Sequence, residues 1–138
     1  GSVETDYSMH ANLGDRRLKE FAACTAKAGY HRAEPIPEPN RYDDWIPRDD
    51  RVDDGHLVSA EVGSYQPNRW GLHDMIGNAW EWTSEIADDG GRVARGGSWY
   101  DRPHRATVND RVVYQSYQRV FNVGFRIVVS EGPASASR

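Results

Sequence analysis

One cysteine, Cys24, stands in 138 residues, so an internal disulfide is excluded and the redox compartment stays open. Long apolar runs are missing as well. None approaches the roughly 18 residues needed to span a bilayer, and no basic-then-apolar secretion signal opens the chain. A soluble protein without a membrane span is expected, with its compartment unassigned. Charge of one sign is scarce: the formal net charge is -4, and no basic stripe interleaved with aromatics is present to track a phosphate backbone. Nucleic acid is therefore excluded as an expected partner. The five histidines, His10, His31, His56, His73 and His104, include no pair three or four residues apart, the spacing that puts two imidazoles on one helix face. No iron centre is encoded locally, and each histidine reads as a surface or turn residue.

Apolar residues make up 38% of the chain, but five Trp, seven Tyr and three Phe each bury a large area, which suits a small aromatic core. Thirteen Gly and seven Pro point to many irregular turns. Residues 15–28 are the best helix candidate, with Leu18, Phe21 or Ala22, and Thr25 at helical spacing and Gly29 as a stop. Cys24 lies near that apolar stripe, the usual place of a small core residue. From 31 to 56 the composition shifts to Pro35, Pro37, Pro39 and Pro47 with acidic residues in excess. This stretch reads as a Pro/Asp-rich loop, an ordered arm packed through Tyr42, Trp45 and Ile46 or a solvated surface segment. Short strands are expected at 57–60, 79–83, 92–95 and 123–129, with Trp80 and Trp82 on one face and Glu81 on the other. The Ser- and Ala-rich residues 131–138 read as a flexible tail after a single domain ending near 130.

Three Gly- and Trp-rich blocks follow in order: residues 71–84, containing Gly77-Asn78-Ala79-Trp80-Glu81-Trp82; then Arg95-Gly96-Gly97-Ser98-Trp99; then Asn122-Val123-Gly124-Phe125-Arg126. Three separated blocks match by chance far less readily than one short motif. Together they resemble the C-terminal signature of the formylglycine-generating enzyme (sulfatase-modifying factor) family. The resemblance runs from about residue 11 to 130 and implies an α+β, C-type-lectin-like, loop-rich fold, of which residues 1–130 would be the C-terminal part of one domain. The remainder of that domain or parent protein is then an expected partner. Family members that oxidise a substrate cysteine carry two cysteines shortly after Gly-Gly-Ser. Here those positions are Asp101 and Ala106, which lack the soft thiolates that hold monovalent copper, so copper-dependent oxidation by this chain is not expected.

The resemblance also implies calcium as cofactor. One family calcium loop maps onto Asp74 and Glu81 through side chains and Gly77 and Ala79 through carbonyls; a second maps onto Asn12 and Asp54 through side chains and Leu13 and His56 through carbonyls. Hard oxygen ligands in flexible geometry are what calcium takes, but carboxylates also cap turns or pair with arginines such as Arg69, Arg92 or Arg95. Where the family has its substrate groove, Trp99, Tyr100, Asp101, Arg102, His104, Arg105, Tyr114 and Tyr117 form the candidate ligand surface for a small molecule, a peptide or a glycan. Arg126 is expected to be an internal strut to loop carbonyls. The preferred reading is a non-oxidase, calcium-stabilised binding module. Its alternatives are part of a larger sulfoxide-synthase-like non-haem-iron oxidoreductase or formylglycine-generating-type enzyme whose metal ligands lie outside this chain, and a variable ligand-binding protein of a diversity-generating retroelement.

Overall fold

The computed structural model describes residues 6–18 and 49–129. Most of the expected helix 15–28, with Cys24, lies outside these residues, as do most of the 31–56 loop and the tail 131–138. The described part is a four-stranded sheet with long loops wrapped over it. Strands β1 (Trp80–Ile86), β2 (Arg92–Arg95), β3 (Arg111–Tyr114) and β4 (Val123–Gly124) lie in the spatial order β3-β2-β1-β4. β1 and β2 form an antiparallel hairpin, β3 adds antiparallel to β2, and β4 runs parallel to β1 with Trp80 opposite Val123.

Alternation of large apolar and polar residues drives β1, and its pairing slips between Trp82 and Ile86 on the way into the hairpin turn. The turn is built from Asp88, Asp89, Gly90 and Gly91. The Gly91 amide bonds the Asp89 carboxylate, and a Cβ on Gly91 would lie 2.4 Å from Val113 Cγ1. In β2 the consecutive residues Val93 and Ala94 are both wholly buried. Neighbouring residues of a strand point to opposite faces, so the sheet is covered on both sides at this point. A second apolar cluster joins Tyr7, Ala11, Leu13, Val52 and Ala106, tying the first described segment to the loop after β2.

The expected strands at 79–83 and 92–95 correspond to β1 and β2. The expected strand at 57–60 does not form, because its backbone finds side-chain amides in place of a neighbouring strand. Asn12 Nδ2 donates to the Val58 carbonyl, while Asn78 accepts from the Ala60 amide and donates to the Ala60 carbonyl. Of 123–129 only Val123–Gly124 is paired, and Phe125 onward leaves β1. β3 was not expected. Its four residues lie within the stretch read as ligand surface, and only the exposed edge of β2 makes them a strand.

Candidate functional site

The Asp74–Glu81 loop begins with Asp74 at φ 54 and turns through Gly77 at φ 80 and Asn78 at φ 64. Glycine is required at 77: an added Cβ would stand 2.3 Å from the Asn12 carbonyl oxygen. The Asn78 amide donates to that same carbonyl at 2.7 Å. The two stretches expected to be calcium loops are thus in direct backbone contact.

Glu81 does not pair with Arg69, Arg92 or Arg95. It takes a two-pronged bond from Arg126, through Nε and Nη2, and the same guanidinium donates to the carbonyls of His73, at 3.1 Å, and Asp74, at 3.3 Å. Arg126 is the expected strut, and it also spans Asp74 and Glu81. Planar fork-to-carboxylate pairing of this kind fixes orientation as well as charge. Asp74 is buried; its Oδ2 accepts the Gly63 amide at 2.6 Å, and its Oδ1 is buried without a hydrogen-bond partner. Ala79 lines both of the clefts, of about 640 and 440 Å³, that flank the Glu81–Arg126 pair.

The second set is closely gathered. Asp54 Oδ2 accepts the Leu13 amide at 3.1 Å and Asp54 Oδ1 accepts the His56 amide at 3.0 Å, so one buried carboxylate joins the two backbone stretches. Burial pushes the Asp54 pKa up to about 6, and the nearby Asp15 carboxylate adds to the effect. Asp15 is also raised by burial and is held by the amides of Asp54 and Arg17. The Asn12 side chain is committed through Nδ2 to Val58 and Asn78, and His56 Nδ1 meets the Tyr65 hydroxyl at 3.0 Å.

Among the described residues no group of three or more His, Cys, Asp or Glu side chains comes together around a point. Any ion held here would depend on carbonyls and on one or two carboxylates, the donor set of a hard cation. Both loops fit that chemistry in part: Asp74 has an orphaned buried oxygen, and Asp54 is a desolvated anion bonded only by neutral amides. Glu81 already has a cationic partner in Arg126.

The candidate ligand surface divides. Asp101 faces inward: its Oδ2 accepts Trp80 Nε1 at 2.8 Å, the Ser98 amide at 3.0 Å and Ser98 Oγ at 2.5 Å, and Asn122 donates to Ser98 Oγ at 2.8 Å. The Asp101 carbonyl accepts the Gly14 amide, tying this loop to the first described segment. Ala106 is buried, its methyl 2.6 Å from where a Cβ on Gly97 would lie. Trp99 and Tyr100 pack edge-to-face with each other and with Phe121, which was not among the candidate ligand residues. Tyr114 is elsewhere, edge-on against Trp82. Arg102 is half-buried, with its Nε lacking a hydrogen-bond partner, while His104, Arg105 and Tyr117 are exposed.

The model of the sulfatase-modifying factor enzyme 1-like domain matches residues 7–131. Inactive C-alpha-formylglycine-generating enzyme 2 from Bos taurus is 36% identical over 107 residues, covering 69% of this chain and 36% of that protein. Formylglycine-generating enzyme from Bos taurus is 33% identical over 83 residues, covering 60% of this chain and 20% of that protein. The chain thus spans about a third or less of the length of these curated relatives. Among solved structures, PvdO from Pseudomonas aeruginosa superposes with a TM-score of 0.51 at 23% identity, over 82% of this chain and 50% of that one, a likeness of fold. The chain belongs to the sulfatase-modifying factor enzyme 1-like domain family, with its loop-rich, formylglycine-generating-enzyme-like fold.

Proposed function

We propose that this chain is a non-oxidase member of its family, a binding module whose loops are cross-linked by calcium. The observation that carries the non-oxidase reading is the environment of Asp101 and Ala106. The Asp101 carboxylate is consumed by three internal donors, and Ala106 fills a buried space against Gly97. Both positions serve packing, and neither offers a thiolate for a soft metal. The bovine relative named inactive supports the same reading.

Calcium, when bound, would supply positive charge that draws loop oxygens together. Asp54 and Asn12, with the carbonyls of Leu13 and His56, would hold one ion; Asp74, with the carbonyls of Gly77 and Ala79 and with Glu81, would hold the other. Support for this comes from the orphaned Asp74 Oδ1 and from the buried Asp54 carboxylate, charges that protein donors alone leave under-compensated. The ligand face in this reading is the exposed rim of the aromatic cluster, Tyr100 and Phe121, with Tyr117, His104 and Arg105 beside it.

Thermal unfolding after chelation, with calcium titrated back, tests the reading. At a hundred times the dissociation constant, calcium should add about 2.7 kcal/mol. Asp74→Ala and Asp54→Ala should each reduce that gain. A midpoint indifferent to calcium removes the ion from the proposal, and near-stoichiometric iron in the purified parent protein favours the oxidoreductase alternative instead.

A further inference from the structure

Across β1, β2 and β3 the register sets Trp82 opposite Ala94 and Arg92 opposite Tyr114. Residues opposite one another, or two apart along a strand, share a face of the sheet, so Trp82, Arg92 and Tyr114 stand on one side. Tyr114 lies edge-on to the Trp82 indole, with ring centroids 5.9 Å apart. After β3 the chain turns through residues 115–118, and a cleft of about 390 Å³ is lined there by Trp82, Thr83, Arg92, Ser116 and Gln118. That volume lies within the range of small-molecule sites, about 300–1,000 Å³. None of these five residues belongs to the proposed ligand face or to either proposed calcium loop.

The lining is rich in hydrogen-bond donors and contains no carboxylate. Arg92 is exposed, and among the described residues its guanidinium enters no hydrogen bond or ion pair. Arg95 and Arg111, on the opposite face of the same two strands, both pair with Glu85. Gln118 is held at one end: its Oε1 accepts the Gln115 amide at 2.6 Å, and its own amide donates to the Gln115 carbonyl at 2.9 Å. A carboxamide whose oxygen accepts a main-chain N–H keeps its Nε2 for another acceptor. Among the described residues, Gln118 Nε2, the Ser116 hydroxyl and the Trp82 indole N–H have no hydrogen-bond partner. Thr83 is already engaged, its Oγ1 donating to the Val93 carbonyl and accepting the Glu85 amide.

We infer that this cleft binds a pyranose carrying a carboxylate, a hexuronate unit of an acidic glycan. The planar fork of Arg92 matches a carboxylate through two parallel N–H bonds. The flat C–H face of the sugar ring covers the half-buried Trp82, while Gln118 Nε2 and the Ser116 hydroxyl meet ring hydroxyls. A planar aromatic acid would satisfy Arg92 and Trp82 but leave those two neutral groups unmatched. Free donors with no acid beside them select an anion over a cation. Calcium plays no part in this site.

The test is a titration of the isotope-labelled full chain with methyl glucuronoside, read at the side-chain N–H signals of Trp82 and Gln118, in chelator and again in calcium. Both signals should shift and saturate equally in the two conditions, so failure here and failure of the calcium reading are told apart. Methyl glucoside, which has a hydroxymethyl group in place of the carboxylate, should bind at least about tenfold more weakly, and Arg92→Gln should weaken glucuronoside binding by about as much. Gln118→Glu keeps the oxygen that accepts the Gln115 amide but replaces the donor with a negative charge. It should abolish binding while leaving the unfolding midpoint nearly unchanged. Any of four results overturns the inference: no saturable shift at Trp82 and Gln118, the glucoside bound as tightly as the glucuronoside, benzoate bound as tightly, or Arg92→Gln without effect.

Discussion

At the scale of single residues, Asp101 is the most informative position. Its place after Gly-Gly-Ser-Trp makes it a candidate for binding, yet its carboxylate is turned inward to Trp80 and Ser98. Removing it would leave an indole N–H, a main-chain amide and a hydroxyl without their acceptor. Asp101→Ala should therefore destabilise the protein by about 3 kcal/mol or more, read by urea or thermal unfolding. Asp101→Asn keeps the shape and an acceptor oxygen and should cost less. An alanine variant as stable as the parent would return Asp101 to the ligand surface. Arg126 is the converse case, expected as a strut and found as one, though its carboxylate partner Glu81 was expected to face an ion.

Among the elements, two features set the geometry. The loop 57–60 is held by the side chain of Asn78, with help from Asn12, where a strand ladder was expected. Asn78 also sits at φ 64, a conformation that asparagine tolerates better than alanine does. Asn78→Ala should cost about 2 kcal/mol or more and raise exchange rates at the Ala60 amide; a neutral effect would mean the loop is held by its apolar contacts. On the sheet surface Glu85 bridges Arg95 of β2 and Arg111 of β3. The hydrogen bond from Arg95, with the charge of Arg111 beside it, holds the Glu85 carboxyl below its ordinary value. A depressed acid pKa stabilises the folded state above the unfolded-state pKa of about 4.3, and that contribution fades as pH falls through the folded value. Glu85→Gln should flatten the acid side of the stability–pH curve slightly while leaving neutral-pH unfolding nearly unchanged, since the group is exposed. An unaltered acid limb would show that the bridge is immaterial.

At the level of the whole molecule, the two proposed calcium loops are one unit, because the Asn12 carbonyl receives the Asn78 amide and crowds Gly77. Residues in contact couple, typically by 0.5 kcal/mol or more. A double-mutant cycle on Asp54→Ala and Asp74→Ala, read as calcium-dependent stability, should show a coupling of about that size; strict additivity would make the loops independent. The sequence by itself determined the family scaffold, two of the four strands and the place of a third, and the absence of the oxidase cysteines, since these rest on residue identity and on period-two alternation, both local properties. Only the tertiary structure decided that Asp101 points inward, that Glu81 answers to Arg126 forty-five residues away, that 57–60 is pinned by asparagines, and that 111–114 is a strand. Each of those depends on which distant donor, acceptor or sheet edge the fold brings alongside, and chain spacing carries no record of that.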